Sequence, residues 1–243
     1  MWAFPQIFDV IVVGGGHAGC EAAYAAGKMG LQTLLVTTNL DTIAKPSCNP
    51  SIGGTAKGHI VREIDALGGI MGKIADETAL HWRMLNAAKG PAVHSPRAQI
   101  DKAQYHLAMK KKLEQTPNLF LHQAQIEELI IENNSVKAIR TREGYLLQGK
   151  TLILTTGTFL QGTIHMGHTS FIGGRSGEHA SMDLSASLQK AGLNLGKLKT
   201  GTPPRLAQRS IDFSKLEKQP SETLVRFSYD TSAPLSANQL DCY

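Results

Sequence analysis

A strand-like run that ends in a glycine-rich loop constrains the fold of this chain more than any other feature. The run Asp9–Val13 is almost entirely apolar, which is typical of a strand buried on both faces of a parallel sheet. It leads into Gly14-x-Gly16-x-x-Gly19, and the alanine-rich stretch from Cys20 to Met29 is predicted to be a helix. A second apolar strand, Gln32–Thr37, completes a βαβ unit, which requires parallel strands joined by a right-handed crossover.

The spacing of the three glycines, between a strand and a helix, predicts a dinucleotide-binding loop. Gly14 permits a tight turn, Gly16 lets the backbone approach a pyrophosphate, and Gly19 lets helix and strand pack closely. The free N–H groups at the helix start and the helix dipole both favour an anion there. A glycine-rich turn without a ligand is the alternative. The predicted binding residues are Gly14, Gly15, Gly16, His17, Ala18 and Gly19, with His17 positional rather than catalytic.

The residues around the loop favour FAD over NAD as the dinucleotide. An NAD site usually has an acidic residue at the end of the second strand, and Thr37-Thr38-Asn39 stands there instead. Glu21-Ala-Ala after the third glycine is common in two-dinucleotide-binding flavoproteins. The strand that ends in Thr155-Thr-Gly157 resembles the Ala-Thr-Gly strand of the same superfamily.

Downstream of the βαβ unit, the pattern changes several times. The stretch Asp41–Lys57 is a long loop dense in turn residues, which in a compact domain is usually functional. Period-two alternation then predicts a small antiparallel meander before a buried strand, Lys150–Gly157, that rejoins the parallel sheet. The predicted helices are Gly58–Leu67, Glu77–Asn86, Ile100–Gln115 and about Ser181–Ala191, and the predicted meander strands are Leu119–Gln123, Ile126–Glu132, Ser135–Thr141 and Tyr145–Leu147.

These elements predict an α/β fold, with an FAD-binding Rossmann-like domain of the two-dinucleotide-binding flavoprotein type, an inserted β-meander and part of a second domain. We expect the first domain to occupy residues 1–157 and the start of the second to occupy residues 158–243. The second domain is expected to be incomplete, because Ser236–Tyr243 shows neither a closing helix nor the composition of a tail.

Composition excludes some functional classes and leaves others open. No apolar run approaches the roughly 20 residues of a membrane span, and the N-terminus has no signal-peptide pattern. The three cysteines, Cys20, Cys48 and Cys242, are odd in number and lack metal-ligand spacing, so we expect reduced thiols, no metal site and a cytoplasmic location. The net charge of +5 and the basic stretch Lys197–Lys218 are compatible with nucleic acid, but on their own they favour an ordinary solvated face.

Several stretches of sequence are similar to one family along the whole chain. They are Phe8–Gly19, Ser47–Gly54, Lys57–His59, Asp65–Gly69, Leu85–Val93, Arg97–Gln99, Gly173–Arg175 and Leu198–Arg205. In combination they resemble the MnmG family, also called GidA, of tRNA uridine 5-carboxymethylaminomethyl modification enzymes. The folate-dependent tRNA methyltransferase TrmFO is the nearest relative of that family, but it lacks the Ser-Cys-Asn-Pro loop in this form.

The resemblance implies a reaction and a set of partners. Such enzymes use FAD, reduced by NADH, to transfer a one-carbon unit from methylenetetrahydrofolate. They install an aminomethyl or carboxymethylaminomethyl group on carbon 5 of the wobble uridine of tRNA. They act as homodimers with the GTPase MnmE, and no membrane is involved.

By matching positions, the resemblance also assigns site residues. FAD binding falls on the glycine loop, on Ile126 in the meander and on Ser181 before the later helix. Family chains are far longer, so a second functional cysteine, a later glycine-rich segment and a helical tRNA-binding part are expected to lie outside this chain. The chain alone is therefore expected to be inactive.

Cys48 is the predicted catalytic residue, because it lies in a rigid polar loop where an inert packing cysteine is less expected. Arg175 and Arg205, among glycines and prolines, are predicted to face a ligand. Three further cations could pair with phosphates or be ordinary surface charges: Lys57, Lys89 and Arg97. A flavin-dependent reductase acting on a small molecule and an inactive truncated fragment are the alternative functions.

Overall fold

The computed structural model describes residues 2–222, 225–230, 232 and 235–243, which separate into two compact units. One unit combines Met1–Ala44 with Lys110–Leu198, and the other combines Lys45–Met109 with Lys199–Tyr243. The predicted domain boundary after residue 157 falls inside the first unit. The predicted boundary separates an FAD-binding domain from a second domain of a longer protein, whereas the two units are compact regions of this chain. The domain boundary therefore stays a prediction.

The described residues form both strands and α-helices. The strands are β1 (Ala3–Val13), β2 (Thr33–Thr37), β3 (Ser51–Gly53), β4 (Ala79–Leu85), β5 (Ser95–Ile100), β6 (Leu119–Gln123), β7 (Ile126–Glu132), β8 (Ser135–Thr141), β9 (Leu146–Leu154), β10 (Thr163–Met166) and β11 (Thr169–Ile172). The α-helices are α1 (His17–Lys28), α2 (Gly58–Ala66), α3 (Met71–Thr78), α4 (Lys102–Glu114) and α5 (Asp183–Lys190).

The first unit is built on a sheet in the order β6-β2-β1-β9-β8-β7. Strand β1 is parallel to both of its neighbours, with Val10–Val13 opposite Thr33–Val36 on one side and opposite Thr151–Leu154 on the other. Because both sides of β1 are paired and Val12 is fully buried, the run had to be apolar on both faces. The predicted α/β fold with a Rossmann-like parallel sheet is confirmed.

The meander differs in two respects from the prediction. Strand β6 pairs in parallel with β2, so it belongs to the Rossmann part and not to the meander. The segments predicted as two strands, Tyr145–Leu147 and Lys150–Gly157, merge into one continuous strand, β9, which begins at Leu146 and ends at Leu154. Gly149 lies inside β9 and does not interrupt the strand. Glycine is needed there because an added Cβ would lie only 2.7 Å from the side chain of Ile11.

Apolar residues from the strands and from α5 form the core beneath this sheet. Phe8, Ile139 and Leu147 are almost completely buried, and Leu184 and Leu188 bring α5 onto the same cluster. Burial of a large aliphatic or aromatic side chain stabilises a fold by about 1.5–3 kcal/mol. The docking of α5 on the start of β7 therefore fixes the segment that precedes the helix.

The second unit contains a three-stranded antiparallel sheet in the order β3-β5-β4, together with α2 and α3. The prediction of a helix over Glu77–Asn86 is wrong, because most of that stretch is β4. Its apolar residues satisfy a helical spacing and a strand spacing equally well, and the pairing with β5 selects the strand. Trp82 then packs against Phe227, with ring centroids 5.3 Å apart.

Two buried carboxylates hold the segment 225–230 in the second unit. Asp76, on α3, accepts hydrogen bonds from the backbone N–H groups of Phe227 at 2.8 Å and Ser228 at 2.9 Å. Asp65, on α2, accepts one from Tyr229 at 2.8 Å. Burial raises the pKa of the Asp76 carboxyl above its ordinary value, against the opposing effect of these bonds and of Arg226.

Candidate functional site

The glycine loop lies between the end of β1 and the start of α1, as predicted. The backbone N–H of Gly14 donates to Val36 at 2.8 Å, and the Thr155 hydroxyl donates to Val13 at 2.9 Å. Gly14 has a φ of +113°, and a Cβ there would collide with the backbone of Thr155. A Cβ on Gly19 would collide with the carbonyl of Gly14, so these two positions require glycine for structural reasons.

Gly16 differs from its two companions in the motif. It is exposed, its φ of −75° suits any residue, and a Cβ built on it meets no heavy atom within 4 Å. Packing therefore does not require glycine at this position. Gly16 is the N-cap of α1 and supplies no side-chain cap, so the N–H groups of the first turn keep their capacity to bind an anion. The geometry suits the approach of a phosphate group.

Two charged residues lie around this loop in the same unit. Nε and Nη2 of Arg175 donate to the two carboxylate oxygens of Glu178, at 2.6 and 2.9 Å. Cζ of Arg175 lies over the Phe159 ring, 5.4 Å from its centroid. Burial and the positive charge of Arg175 lower the pKa of His17, so that side chain is neutral at pH 7. A neutral imidazole at the first position of α1 adds no cation to the loop.

Ile126 and Ser181, which are 55 residues apart in sequence, are brought together. The Ser181 hydroxyl donates to the carbonyl oxygen of Ile126 at 3.2 Å, and both residues are buried. The backbone of Ser181 is held by Phe159 and Gln161 through hydrogen bonds of 2.8 and 2.9 Å. Ser181 lies two residues before α5, so the predicted start of the helix is slightly early.

The end of β2 is occupied by turn-forming interactions. The side-chain oxygen of Asn39 accepts a hydrogen bond from the N–H of Asp41 at 2.8 Å, which caps a short 3-10 turn. Thr37 is buried, and its hydroxyl lies 2.8 Å from the position that a Cβ on Gly15 would take. Of the three residues that replace the usual acid, Thr38 alone is exposed at this strand end.

Cys48 lies in the second unit on a loop with a fixed backbone. The carbonyl of Pro50 accepts a hydrogen bond from Ile100 at 2.7 Å, and the N–H of Gly54 donates to Pro96 at 2.9 Å. The half-buried Cys48 thiol lies 3.4 Å from the carbonyl oxygen of Gly201. The loop thus presents the thiol instead of burying it in a core.

Cations surround Cys48. The Arg205 guanidinium donates to the carbonyl oxygen of Cys48. Burial lowers the pKa of Lys102, and the positive charges of Arg205 and Lys45 lower it further, while Cys48 acts in the opposite direction. Sequence reasoning identified Arg205 but missed Lys102, whose helical position carries no motif.

The other two cysteines have different surroundings. Cys20 is completely buried in α1, and burial raises the pKa of its thiol to about 12, so it is a packing residue. Burial also raises the pKa of Cys242. Of the three lesser cations, Lys57 and Lys89 are exposed, and Arg97 is half-buried on β5.

The described residues contain no helix with both the length and the apolar character needed to cross a membrane. In the same part of the chain, no group of three or more His, Cys, Asp or Glu side chains is arranged to hold a metal ion.

Comparison with known proteins identifies the family. Residues 9–243 match the family described as Glucose inhibited division protein A. The tRNA uridine 5-carboxymethylaminomethyl modification enzyme MnmG of Protochlamydia amoebophila (strain UWE25) is 56% identical over all 243 residues, which make up 39% of that protein. The enzyme of the same name from Chlamydia felis (strain Fe/C-56) is 53% identical, again over the whole chain and 40% of its own length.

Solved structures agree with the sequence match. The form II crystal structure of Aquifex aeolicus GidA superposes with a TM-score of 0.93 and 46% identity, over 99% of this chain and 41% of that one. The GidA-related protein from Thermus thermophilus shares the fold, with a TM-score of 0.56 and 24% identity over 76% of this chain and 68% of that one. The chain spans about two fifths of the length of the curated relatives that it matches. The resemblance predicted from the sequence is confirmed, and the chain belongs to the Glucose inhibited division protein A (GidA) family.

Proposed function

We propose that this chain forms the FAD-binding part of a flavoenzyme that modifies the wobble uridine of tRNA. The observation that carries the proposal is the open loop at Gly16, at the N-terminus of α1. Gly14 and Gly19 are explained by packing alone, but an exposed and unhindered glycine between them is explained by a ligand that must approach the backbone. The pyrophosphate of FAD fits that requirement.

The residues present fit this cofactor at two places. The loop Gly14–Gly19 would hold the pyrophosphate through the N–H groups of the first turn of α1. Ile126 and Ser181, joined by a hydrogen bond, would form a second contact region in the same unit. When bound, FAD supplies the redox chemistry, and the protein supplies binding, orientation and electrostatics.

The substrate part of the proposal comes from the relatives, whose name states that they modify tRNA uridine. We assign to the complete protein the transfer of a one-carbon unit from methylenetetrahydrofolate to carbon 5 of the wobble uridine, with NADH as reductant. The product is an aminomethyl or carboxymethylaminomethyl uridine. The complete protein would act as a homodimer with the GTPase MnmE, in the cytoplasm.

Cys48 is the proposed nucleophile for this reaction. Its thiol is half-buried on a loop with a fixed backbone, and a thiolate can attack an activated carbon where a hydroxyl of ordinary pKa cannot. The Cys48 thiol donates to the carbonyl oxygen of Gly201, and the Arg205 guanidinium donates to the carbonyl oxygen of Cys48. These contacts hold the loop and the Lys199–Arg205 segment together within the second unit.

A titration of the chain with FAD, followed by flavin absorbance, tests cofactor binding. Gly16→Val should weaken binding at least tenfold at little cost in thermal stability of the free chain, because the added Cβ meets open space until a phosphate approaches. Gly196→Val is the matched control, since Gly196 is also unhindered and has a φ that other residues adopt. Equal FAD affinity in the Gly16→Val and Gly196→Val variants would reject the assignment.

The role of Cys48 is tested in a full-length protein that carries this N-terminal part. Cys48→Ser should remove most wobble-uridine modification, measured by mass spectrometry of tRNA, while the ratio of flavin to protein stays unchanged. Cys242→Ser is the control and should retain modification. Normal modification by Cys48→Ser rejects the catalytic role, and loss of flavin together with modification would show that the loop is structural.

A further inference from the structure

Two arginines face each other across the antiparallel sheet of the second unit. Arg83 on β4 is directly opposite Arg97 on β5 in the strand register. Residues directly opposite in an antiparallel pair project from the same face, with Cβ atoms about 4.5–5.5 Å apart. The same face carries His81 and Gln99, whereas Trp82 and Ala98 occupy the other, apolar face.

Neither arginine has an acidic partner in the part of the chain that the structure describes. Within residues 2–222, 225–230, 232 and 235–243, neither side chain forms a hydrogen bond or an ion pair, and Nε of Arg97 is buried without a hydrogen-bond acceptor. Asp241 pairs with Lys218 at 2.7 Å. Glu222 accepts the backbone N–H of Met84 at 3.0 Å and forms no ion pair with either arginine.

Such an arrangement is costly unless something compensates it. Like charges directly opposite each other destabilise a sheet. A buried donor without an acceptor also lowers the stability, because it loses its hydrogen bonds to water and forms none in the protein. Burial keeps the Cys242 thiol, which feels the charge of Arg97, in its neutral form at pH 7, so it supplies no counter-charge. An acceptor with two negative charges would compensate both arginines at once.

We propose that Arg83 and Arg97 form a binding site for a dianionic phosphate group, as found on a phosphate monoester. Two guanidinium groups provide a charge of +2 and two planar forks of N–H donors, which match the several oxygens of a phosphate. Both side chains are half-buried, so they remain accessible to a ligand while water screens them incompletely. On the side of Arg97 away from Arg83, the opposite residue is Gly53, which has no side chain to cover it.

Binding of inorganic phosphate to the chain, measured by calorimetry at constant ionic strength, tests this site. Arg83→Gln and Arg97→Gln should each weaken phosphate binding at least tenfold, whereas Arg209→Gln, a change at an exposed arginine, should leave it unchanged. Dimethyl phosphate, which carries one negative charge, should bind at least tenfold more weakly than phosphate to the unaltered chain.

A second measurement separates a binding site from a structural role. Without phosphate and at low salt, Arg83→Gln should melt at the same temperature as the unaltered chain or higher, because the variant relieves the repulsion between like charges. Phosphate should raise the melting temperature of the unaltered chain, since it binds the folded state. The proposal is overturned by the absence of phosphate binding, by binding that both variants retain, by equal affinity for dimethyl phosphate, or by a phosphate-free Arg83→Gln variant that melts markedly lower.

Discussion

At the scale of single residues, the three glycines of the loop serve different purposes. Gly14 and Gly19 let β1, β9 and α1 approach one another, and any Cβ there would strike backbone atoms. Gly16 has open space around it and an ordinary backbone conformation. Within this motif, the fold therefore requires glycine at positions 14 and 19 but not at position 16.

This difference can be measured in the free chain. Gly19→Ala should lower the free energy of unfolding by about 1–3 kcal/mol, as overpacking in a close contact does. Gly16→Ala should change it by less than about 1 kcal/mol, because alanine restricts the unfolded chain but is a poorer N-cap residue than glycine, and the two effects oppose each other. Urea unfolding of both variants checks this, and equal destabilisation by the two changes would contradict it.

At the scale of elements, the local patterns were informative where both partners lie close in sequence. The βαβ unit, α2, α4 and the β7–β8 hairpin lie close to their predicted positions, since each is specified by its own periodicity and by its turns. Strand β4 was mistaken for a helix, because its partner β5 is not visible in the local pattern. Strands β3 and β5 were not predicted, for the same reason, and helix α3 was predicted only over its last residues, as the beginning of the helix that β4 replaces.

The candidate site shows the same limit. Gly14–Gly19 and Cys48 could be proposed from motifs and from turn residues, and Ile126 and Ser181 were implied as FAD-binding residues only by family resemblance. The hydrogen bond that joins Ile126 and Ser181 was not predicted. Lys102 and Arg83 carry no motif. The charges beside Lys102 come from distant segments, and Arg97 lies opposite Arg83 only because β4 pairs with β5. Spatial neighbours of this kind cannot be derived from the spacing of residues along one sequence.

The packing of segment 225–230 on α3 gives a prediction at this scale. Asp76→Ala leaves the buried N–H groups of Phe227 and Ser228 without their acceptor, which costs about 1–3 kcal/mol for each group. Asp230→Ala removes an ion pair with Lys73 whose partners are 38% and 41% exposed, together with exposed hydrogen bonds from Ser232, so it should cost less, about 1 kcal/mol. Chemical denaturation of both variants measures the two decreases in the free energy of unfolding. Equal decreases would show that the buried Asp76 carboxylate does not hold segment 225–230 on α3.

At the scale of the whole molecule, the basic stretch Lys197–Lys218 separates into paired and unpaired charges. Lys215 pairs with Asp212 at 3.1 Å, and Lys218 pairs with Asp241. Among the described residues, Lys197 and Lys199 form no ion pair, and both are exposed. Lys197 and Lys199 therefore have charge available to phosphates of RNA.

Binding of tRNA to this chain should therefore be weak and strongly dependent on salt. Changing both Lys197 and Lys199 to glutamine should reduce the slope of log K against log salt by about 1–2, because each phosphate contact contributes about 0.7–0.9. Lys215→Gln, which removes a paired charge, is the control and should change the slope by less. Filter binding over a range of salt concentrations measures this, and tight binding that persists at high salt would contradict the prediction.

The position of β1 in the sheet has a consequence for the synthesis of the protein. One side of β1 pairs with β2, which follows within a few tens of residues, but the other side waits for β9, about 130 residues later. At roughly 5–20 residues per second, a ribosome needs on the order of 10 s to supply that partner. During this interval an apolar strand edge stays unpaired on the nascent chain, and such an edge is a template for aggregation and for chaperone binding.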